Sequence, residues 1–509
     1  MARLGSQWKG TPLMAWLKTV GSGAVVVSLL STTASFADVT AEQVWQAWQS
    51  EYQTYGYEVM VGSQNREGDT LTVSDVKMVR NVDNMSLTLD VPELKLRDLG
   101  DGTVETVFPE TMTGDMTGKP GTDTSDIAMK MTMTQTDSKV IVSGSPGDLT
   151  YDIDAPKMTM DLDQTVTAEG QDVPVKMYFS LENTKGNYHV VDGDMHSVDS
   201  KMSIGTLDLT ASGADPEGSG TFNMNGQMND LAYEGTFAMP KGIDSEKLDE
   251  ALNAGANLDL AMTYASSNWT VSADGPDGKV DQKSTDQGGK LDIAMSKDGL
   301  SFGGQSNSSH IEMTTPELPF PITADIQSAD MNFAMPVAKA DEAQDYKAMI
   351  GLNGVTVSDN IWAMFDPNGD LPHDPATLQV DLSGKMKLSE DLFSPAAAAM
   401  DAPPMQVDTV DINNIKLSMV GADLNGKGAL ELKNGGPMPM PTGKIDLTLT
   451  GANALMDKLV AMGLVPQDQI MFGRMMLGLY AKPTGDDAYE SQVEFQDGGE
   501  ILVNGQRVQ

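Results

Sequence analysis

Apolar and polar residues alternate at successive positions in many short runs of this chain, and this period of two constrains the fold more than any other sequence feature. In residues 126–136, DIAMKMTMTQT, the alternate apolar positions are Ile127, Met129, Met131 and Met133. Successive side chains of a β-strand point to opposite faces, so such runs predict strands with one buried face and one wet face. Further runs of this kind lie at 85–91, 158–162, 175–181, 258–264, 331–335, 415–419 and 445–449.

Turn-forming clusters rich in Gly, Asp and Pro separate these runs, as in LGDGT at 99–103 and SGSPGD at 143–148. The segments between neighbouring runs contain too little helix for the crossovers that parallel strands need. We therefore predict a mainly β fold of one or more long twisted antiparallel sheets, with a groove as one arrangement. A few short helices and a C-terminal helical hairpin packed on the sheet complete the predicted architecture.

Three short segments depart from the alternation and predict single helices. The first begins after Thr40, which forms a capping box with Gln43, and it ends at Gly56. The second lies at 244–255. The third lies at 358–367, where Ser358 is the expected N-cap.

Residues 451–483 predict two helices joined at a Gly-Leu-Val-Pro corner. Strands on either side of this hairpin should pair antiparallel and form a sheet that it covers, so we expect Leu459 and Met475 to be buried. In the alternative interpretation the hairpin is a mobile lid or a membrane-facing element. Its exposed residues would then be Met471, Met475 and Met476.

Methionine is unusually frequent, with 36 residues and no cysteine in 509. In the alternating runs Met takes positions that Val, Ile, Leu or Phe takes elsewhere, which favours an apolar strand residue over a thioether ligand. Met438 and Met440 are the candidate copper ligands that this interpretation rejects. Two acidic loops resemble oxygen-ligand loops but lack the spacing and closing Glu of an EF-hand. Their residues are Asp274, Asp277 and Asp281, and Asp366, Asn368 and Asp370. We predict no metal and no cofactor.

The first 37 residues predict a secretory signal peptide. A basic segment with Arg3, Lys9 and Lys18 precedes an apolar and small-residue stretch, and Ser35 and Ala37 suit the −3 and −1 positions of a cleavage site. Cleavage after Ala37 would leave a periplasmic protein with no later transmembrane segment, and an uncleaved anchor is the alternative. The predicted organisation is a signal at 1–37, a repetitive antiparallel β region with an N-terminal helix at 38–400, and a C-terminal unit at 401–509. That last unit is expected to continue the preceding sheet.

The charge is strongly acidic, with 73 Asp and Glu against 33 Lys and Arg and a formal net charge of −40. Nucleic acid and anionic membrane surfaces would be repelled at long range, so nucleic acid is excluded as a partner. The sequence has no phosphate-binding loop, no nucleophile elbow and no zinc-spaced His pair, and aromatic residues, which form the usual sugar platforms of glycosidases, make up only 6%. We therefore predict a protein that is not an enzyme and has no catalytic residues.

Several C-terminal stretches carry a family resemblance: residues 361–367, 374–384, 441–469 and 493–509. Together they resemble an alphaproteobacterial exported family known only as a domain of unknown function (DUF 2125), most strongly from Pro319 to Gln509. A weaker resemblance is to AsmA-like envelope proteins, whose ends place strands, a helical pair, a strand and a terminal Asn-Gly turn in this order. The resemblance implies a fold and an envelope location. Two functions stay open: binding of lipid or another hydrophobic envelope molecule, and a structural or interaction scaffold without a small ligand.

Overall fold

The computed structural model describes residues 38–82, 84–119, 126–168, 171–214, 220–243, 247–400, 402–434 and 439–508. The predicted signal peptide and Met438 lie outside these residues. Of these residues 66% lie in strands and 12% in helices, and every strand pairing whose register the structure describes is antiparallel, which confirms the predicted mainly β fold. The chain forms two compact units. Unit 1 takes its residues from Met1–Gly193, Ser197–Gly235 and Val271–Asp277, and unit 2 from Asp194–His196, Thr236–Thr270 and Gly278–Gln509. The predicted boundary after residue 400 stays a prediction.

Among its described residues, unit 1 contains one helix and nine complete strands. They are α1 (Ala41–Thr54), β1 (Glu58–Glu67), β2 (Thr70–Val82), β3 (Met85–Asp98), β4 (Val104–Val107), β5 (Thr111–Gly118), β6 (Asp126–Thr136), β7 (Lys139–Ser145), β8 (Asp148–Ala168) and β9 (Gln171–Asp192). Three strands contribute residues to both units: β10 (Met195–Ala214), β11 (Thr221–Pro240) and β13 (Ser266–Gly275).

The sheet of unit 1 divides at β3 and rejoins at β8. The first half of β3 pairs with β5 and its last four residues pair with β4. From there β5 leads through β6 to β8, and β4 leads through β7 to the other half of β8. The short strands β4 and β5 therefore share β3 as a neighbour, and β6 and β7 share β8.

Helix α1 supplies the cover for the core of unit 1. Its predicted capping box is confirmed, since Thr40 accepts from the Gln43 backbone N–H and the Gln43 side chain accepts from the Thr40 N–H. Val44 and Trp45 on its inner face are buried together with strand residues such as Leu96. Around α1 the apolar face of the unit 1 sheet is buried, as the alternation predicts. The alternating residues of β6, Ile127, Met129, Met131 and Met133, are only half-buried.

Unit 2 contains a second run of strands and five short helices among its described residues. The strands are β12 (Asn257–Tyr264), β14 (Gly278–Asp286), β15 (Gly289–Ser296), β16 (Gly299–Thr314), β17 (Ile322–Met335), β18 (Gln344–Val357), β19 (Ala376–Leu388), β20 (Met405–Val407), β21 (Thr409–Met419), β22 (Ala422–Lys433), β23 (Met440–Thr450), β24 (Lys482–Gly485), β25 (Ala488–Phe495), β26 (Ile501–Val503) and β27 (Gln506–Arg507). The helices are α2 (Leu248–Asn253), α3 (Asp359–Phe365), α4 (Pro395–Ala398), α5 (Ala452–Ala461) and α6 (Gln467–Tyr480).

The main sheet of unit 2 runs β12–β15–β16–β17–β18–β19–β21–β22–β23–β25–β26–β27, each strand antiparallel to the next. The predicted pairing of the final strands with earlier ones is confirmed, because Ile445 on β23 lies opposite Val493 on β25. A small buried cluster of Ala251, Leu252, Ala256 and Val337 joins α2 to this sheet.

The helices of unit 2 agree with the sequence in place but differ in detail. Helix α2 is shorter than the predicted 244–255, of which 244–246 lie outside the described residues. Ser358 is the N-cap residue of α3, but its side chain makes no capping hydrogen bond. The four-residue helix α4 was not predicted.

The expected burial of the C-terminal hairpin is wrong. Helices α5 and α6 form, but neither contains a buried residue; Leu459 is half-buried and Met475 is 58% exposed. Apolar residues lie on more than one side of α6, so the sequence pattern does not identify the stripe that packs. The half-buried residues of α6 are Ile470, Gly473, Met476, Leu477 and Tyr480, whereas Met475 is exposed.

A candidate apolar binding face on unit 2

Register places the apolar positions of neighbouring unit 2 strands side by side. Met331 on β17 lies opposite Ile350 on β18, which lies opposite Val380 on β19. Val380 in turn lies opposite Ile415 on β21. Residues directly opposite each other in an antiparallel pair project from the same face of the sheet. One face therefore carries a continuous apolar row across four strands.

Flanking rows widen this surface. Phe333 lies two positions from Met331, and Leu378, opposite Leu417, lies two positions from Val380. Beyond β21 the rows continue onto β22 and β23, where Leu424 is opposite Leu449. We call this surface of β17–β23 the apolar face. Its large exposed residues are Met331, Phe333, Ile350, Leu378, Leu417 and Met419.

These six side chains are between 38% and 47% exposed. In most strands the apolar residues are less exposed than the polar ones. Here the order is reversed, because Met331 and Phe333 are exposed while Asn332 between them is only half-exposed. The expectation of a buried apolar face is thus wrong for this part of unit 2. The six residues together expose on the order of 500 Å² of largely apolar surface, comparable with the largest patch on a typical monomer, which is often functional.

The opposite face of the same strands is polar and internally hydrogen-bonded. The Asn353 Nδ2 donates to Ser328 Oγ at 3.1 Å and to Asp330 Oδ1 at 3.3 Å. Gln379 Nε2 donates to Asn353 Oδ1 at 2.6 Å, and Asn414 Nδ2 donates to Gln379 Oε1 at 2.9 Å. This amide ladder crosses four strands and favours one register, since a one-residue slip would place the amides on the apolar side.

Helix α2 covers part of the sheet near its β12–β15–β16 edge. Helix α2 and its cluster pack against Met295 on β15 and Leu300 on β16. A cavity of about 450 Å³ lies beside these residues, with apolar lining from Leu258 and Met335 and carboxylates from Asp259 and Asp298. Toward β17–β21 the described residues leave the apolar face open, as the exposed fractions above show.

The acidic loop after α3 is closed by its own hydrogen bonds. The buried Asp366 carboxylate accepts from the backbone N–H of Asp370 and of Leu371, both at 2.8 Å, and from His373 Nε2 at 3.3 Å. Burial alone raises the pKa of Asp366, but these N–H donors outweigh burial and hold the pKa below its usual value. The His373 ring also stacks on Trp362 at 4.0 Å, which anchors α3 to the loop.

The candidate metal residues are not gathered into one site. The structure joins Asp366 to the backbone N–H of Asp370, and it pairs Asp281 with Lys279 at 2.9 Å. Among the described residues there is no cluster of three or more His, Asp or Glu that could hold a metal ion. Met440 is an exposed residue at the start of β23.

Sequence reasoning proposed lipid binding to an apolar sheet face as one of two functions, but it named no residue of the site. The individual strands of the apolar face were predicted, since Met331, Phe333, Ile415, Leu417 and Met419 belong to the alternating runs. The sequence did contain one signal for such a site. The few short predicted helices are too small to cover the apolar faces of so many predicted strands. The fold and this face define a class, an antiparallel β protein with an open one-sided apolar sheet.

Residues 260–502 match the profile of a family described as "Uncharacterized protein conserved in bacteria" (DUF2125), and this region of the chain is similar to that family. The predicted resemblance is confirmed over this range, which includes the whole apolar face. Among curated proteins no relative matches. The likeness to AsmA-like proteins stays a prediction. No helix of the described residues has both the length and the apolar character needed to cross a bilayer.

Proposed function

We propose that this chain is an exported, non-enzymatic protein that binds the acyl chains of a lipid on the apolar face of unit 2. The observation that carries the proposal is the set of large, exposed side chains on the apolar face that includes Met331, Ile350 and Leu417. An acyl chain needs apolar contact and no hydrogen-bond partner. Such a surface is offered over the four neighbouring strands β17, β18, β19 and β21, roughly 14 Å at about 4.8 Å per strand spacing.

The energetics are adequate for a reversible complex. Covering about 250 Å² of this face would contribute on the order of 6 kcal/mol, before the cost of association is subtracted. Met331 and Met419 supply flexible side chains that adapt to acyl chains of different length or unsaturation. We therefore expect modest affinity and a broad preference among lipids.

Export and the absence of catalysis belong to the same proposal. Export is supported by the basic segment, the apolar stretch and the small residues before Asp38. The absence of catalysis is supported by the lack of a recognisable catalytic motif in the sequence. An apolar face beside a hydrogen-bonded polar face suits binding better than bond-making chemistry.

The test is saturable binding of a fluorescent fatty acid, used below its critical micelle concentration, to residues 38–509. Ile350→Glu and Leu417→Glu each place a carboxylate on the apolar face, and we expect at least a tenfold weaker affinity. The matched control is Ala429→Glu, which adds the same carboxylate to the polar face of β22, where Ala429 lies opposite Asp411 and Lys444.

Equal binding by the Ile350→Glu, Leu417→Glu and Ala429→Glu variants would contradict the apolar face as the site. No saturable binding by the unsubstituted protein, together with a lipid-free extract of protein purified from its host, would favour the structural or interaction scaffold instead.

A further inference from the structure

The most exposed large apolar side chains of the described residues lie on the helices of unit 2. On α6 they are Met471, Phe472, Met475 and Leu479, each 54–64% exposed. Three of them follow at intervals of four, so they form a stripe of about 12 Å along the helix. Leu464, in the corner before α6, adds another exposed side chain.

Hydrogen bonds fix the hairpin of α5 and α6 at both of its ends. The Asp487 carboxylate accepts from the backbone N–H of Asn453 and of Ala454, both at 2.9 Å, which caps the start of α5. At the end of α6 the Tyr480 carbonyl accepts from Ser491 Oγ at 2.6 Å and from Asn504 Nδ2 at 2.9 Å. The apolar stripe is thus presented outward by a hairpin fixed at both ends.

A second apolar element lies at the same end of the sheet. Helix α3 follows β18, and the hairpin follows β23; the ends of these strands are linked by the pairs Val355–Ala376, Thr377–Ser418 and Asp423–Thr450. Gly421, between β21 and β22, has a φ of +78°, and a Cβ there would lie 2.9 Å from Pro372 in the loop after α3. This close approach joins the loop to the strand turn.

We call this region the helical end, defined by α3, the β21–β22 turn, α5 and α6. Its exposed apolar residues are Met364, Phe365, Met419, Leu464, Met471, Phe472, Met475 and Leu479. Met419 also belongs to the apolar face, so the two surfaces meet at the end of β21.

The hairpin differs from the rest of the chain in charge. Between residues 452 and 480 the only charged residues are Asp457, Lys458, Asp468 and Arg474, which sum to zero in a chain of net charge −40. Asp457 and Arg474 also pair with each other at 2.5 Å. The hairpin itself therefore carries no net charge.

This charge distribution selects among possible occupants. A second copy would bring two chains of net charge −40 together, and an anionic surface would also be repelled. A zwitterionic bilayer surface has no net charge and accepts apolar side chains at its acyl boundary. We propose that the helical end docks on a zwitterionic lipid bilayer, with the stripe of α6 inserted at the interface.

The inference rests on the proposed function in one respect, because docking would bring the acyl chains of the bilayer to the open end of the apolar face. A docked helix of this kind lies in the plane of the interface, with its apolar side about 5–10 Å deep. Transfer of a lipid onto the face would then start at Met419, where the two surfaces meet.

The experiment is flotation of residues 38–509 with phosphatidylcholine vesicles at physiological ionic strength. Met475→Glu and Phe472→Glu should each lower the vesicle-bound fraction at least fivefold. The matched control is Met440→Glu, because Met440 is an exposed methionine at the opposite end of β23, away from the helical end. That control should float as the unsubstituted protein does.

Fatty-acid binding by the same samples separates the two proposals. Loss of flotation with unchanged fatty-acid affinity in Met475→Glu supports the docking inference. Fatty-acid binding without any flotation of the unsubstituted protein would overturn the docking inference and leave the proposed function standing. Flotation without fatty-acid binding would do the reverse.

Two further outcomes would also overturn the docking inference. One is tighter binding to phosphatidylglycerol vesicles than to phosphatidylcholine vesicles. The other is a concentration-dependent dimer, seen by size-exclusion chromatography with light scattering, that Met475→Glu abolishes.

Discussion

Truncation of a buried and an exposed residue within unit 2 tests the exposed placement of the hairpin. Leu388, at the end of β19, is 2% exposed, whereas Met475 on α6 is 58% exposed. Leu388→Ala removes about three methylene equivalents at about 0.8 kcal/mol each and leaves a cavity, so its expected cost is about 3–4 kcal/mol. Met475→Ala loses little buried surface and should change the free energy of unfolding by less than about 0.5 kcal/mol.

Differential scanning calorimetry is the assay, because a chain with two units need not unfold in one step. In a unit of this size 1 kcal/mol corresponds to about 2–4 °C, so Leu388→Ala should lower one transition by about 6 °C or more. Met475→Ala should leave both transitions in place. A shift for Met475→Ala as large as that for Leu388→Ala would show that α6 is packed through this stripe, and the helical end would no longer be an exposed surface.

Three other predictions follow from single features of the structure. Asp487→Ala removes both side-chain acceptors at the start of α5 and should lower the stability of the hairpin by about 1 kcal/mol. The readout is faster proteolytic cleavage of the hairpin, and Asp486→Ala is the control. Burial raises the pKa of Tyr151, although the hydrogen bond from Trp48 opposes the shift. The contribution of Tyr151 to the free energy of unfolding should therefore be constant up to about pH 10 and fall at higher pH, where the unfolded chain ionises this tyrosine before the folded chain does. Denaturant titrations against pH, compared between the unsubstituted protein and Tyr151→Phe, measure that contribution. Secreted protein should begin at Asp38 on N-terminal sequencing, and a sequence that still contains Val25–Leu30 would show that the signal is retained.

Local patterns in the sequence determined the elements. The alternating run at 126–136 is strand β6, and the runs at 415–419 and 445–449 lie in β21 and β23. The Thr40 capping box and the corner between α5 and α6 are equally local, because each depends on residues within four or five positions of one another. Period and capping need no knowledge of the distant chain, so these features were predictable.

Tertiary structure decided the lengths and partners of the strands. Strands β8 and β9 reach 21 and 22 residues, much longer than the alternating runs at 158–162 and 175–181 that lie within them, because the two strands pair with each other along their length. The division of β3 between β4 and β5, and the pairing of β12 with β15, likewise join residues that no local pattern connects. Side-chain alternation states which residues share a face but not which strand lies alongside.

The candidate site depends on that same missing information. The sequence placed Met331, Phe333 and Leu417 on the apolar side of strands, and it could not state what covers that side. Cover is set by where distant helices pack: α1 shields the sheet of unit 1, whereas α6 turns its Met475 side outward. An apolar position is buried or open according to its neighbours in space, and only the folded chain supplies those neighbours.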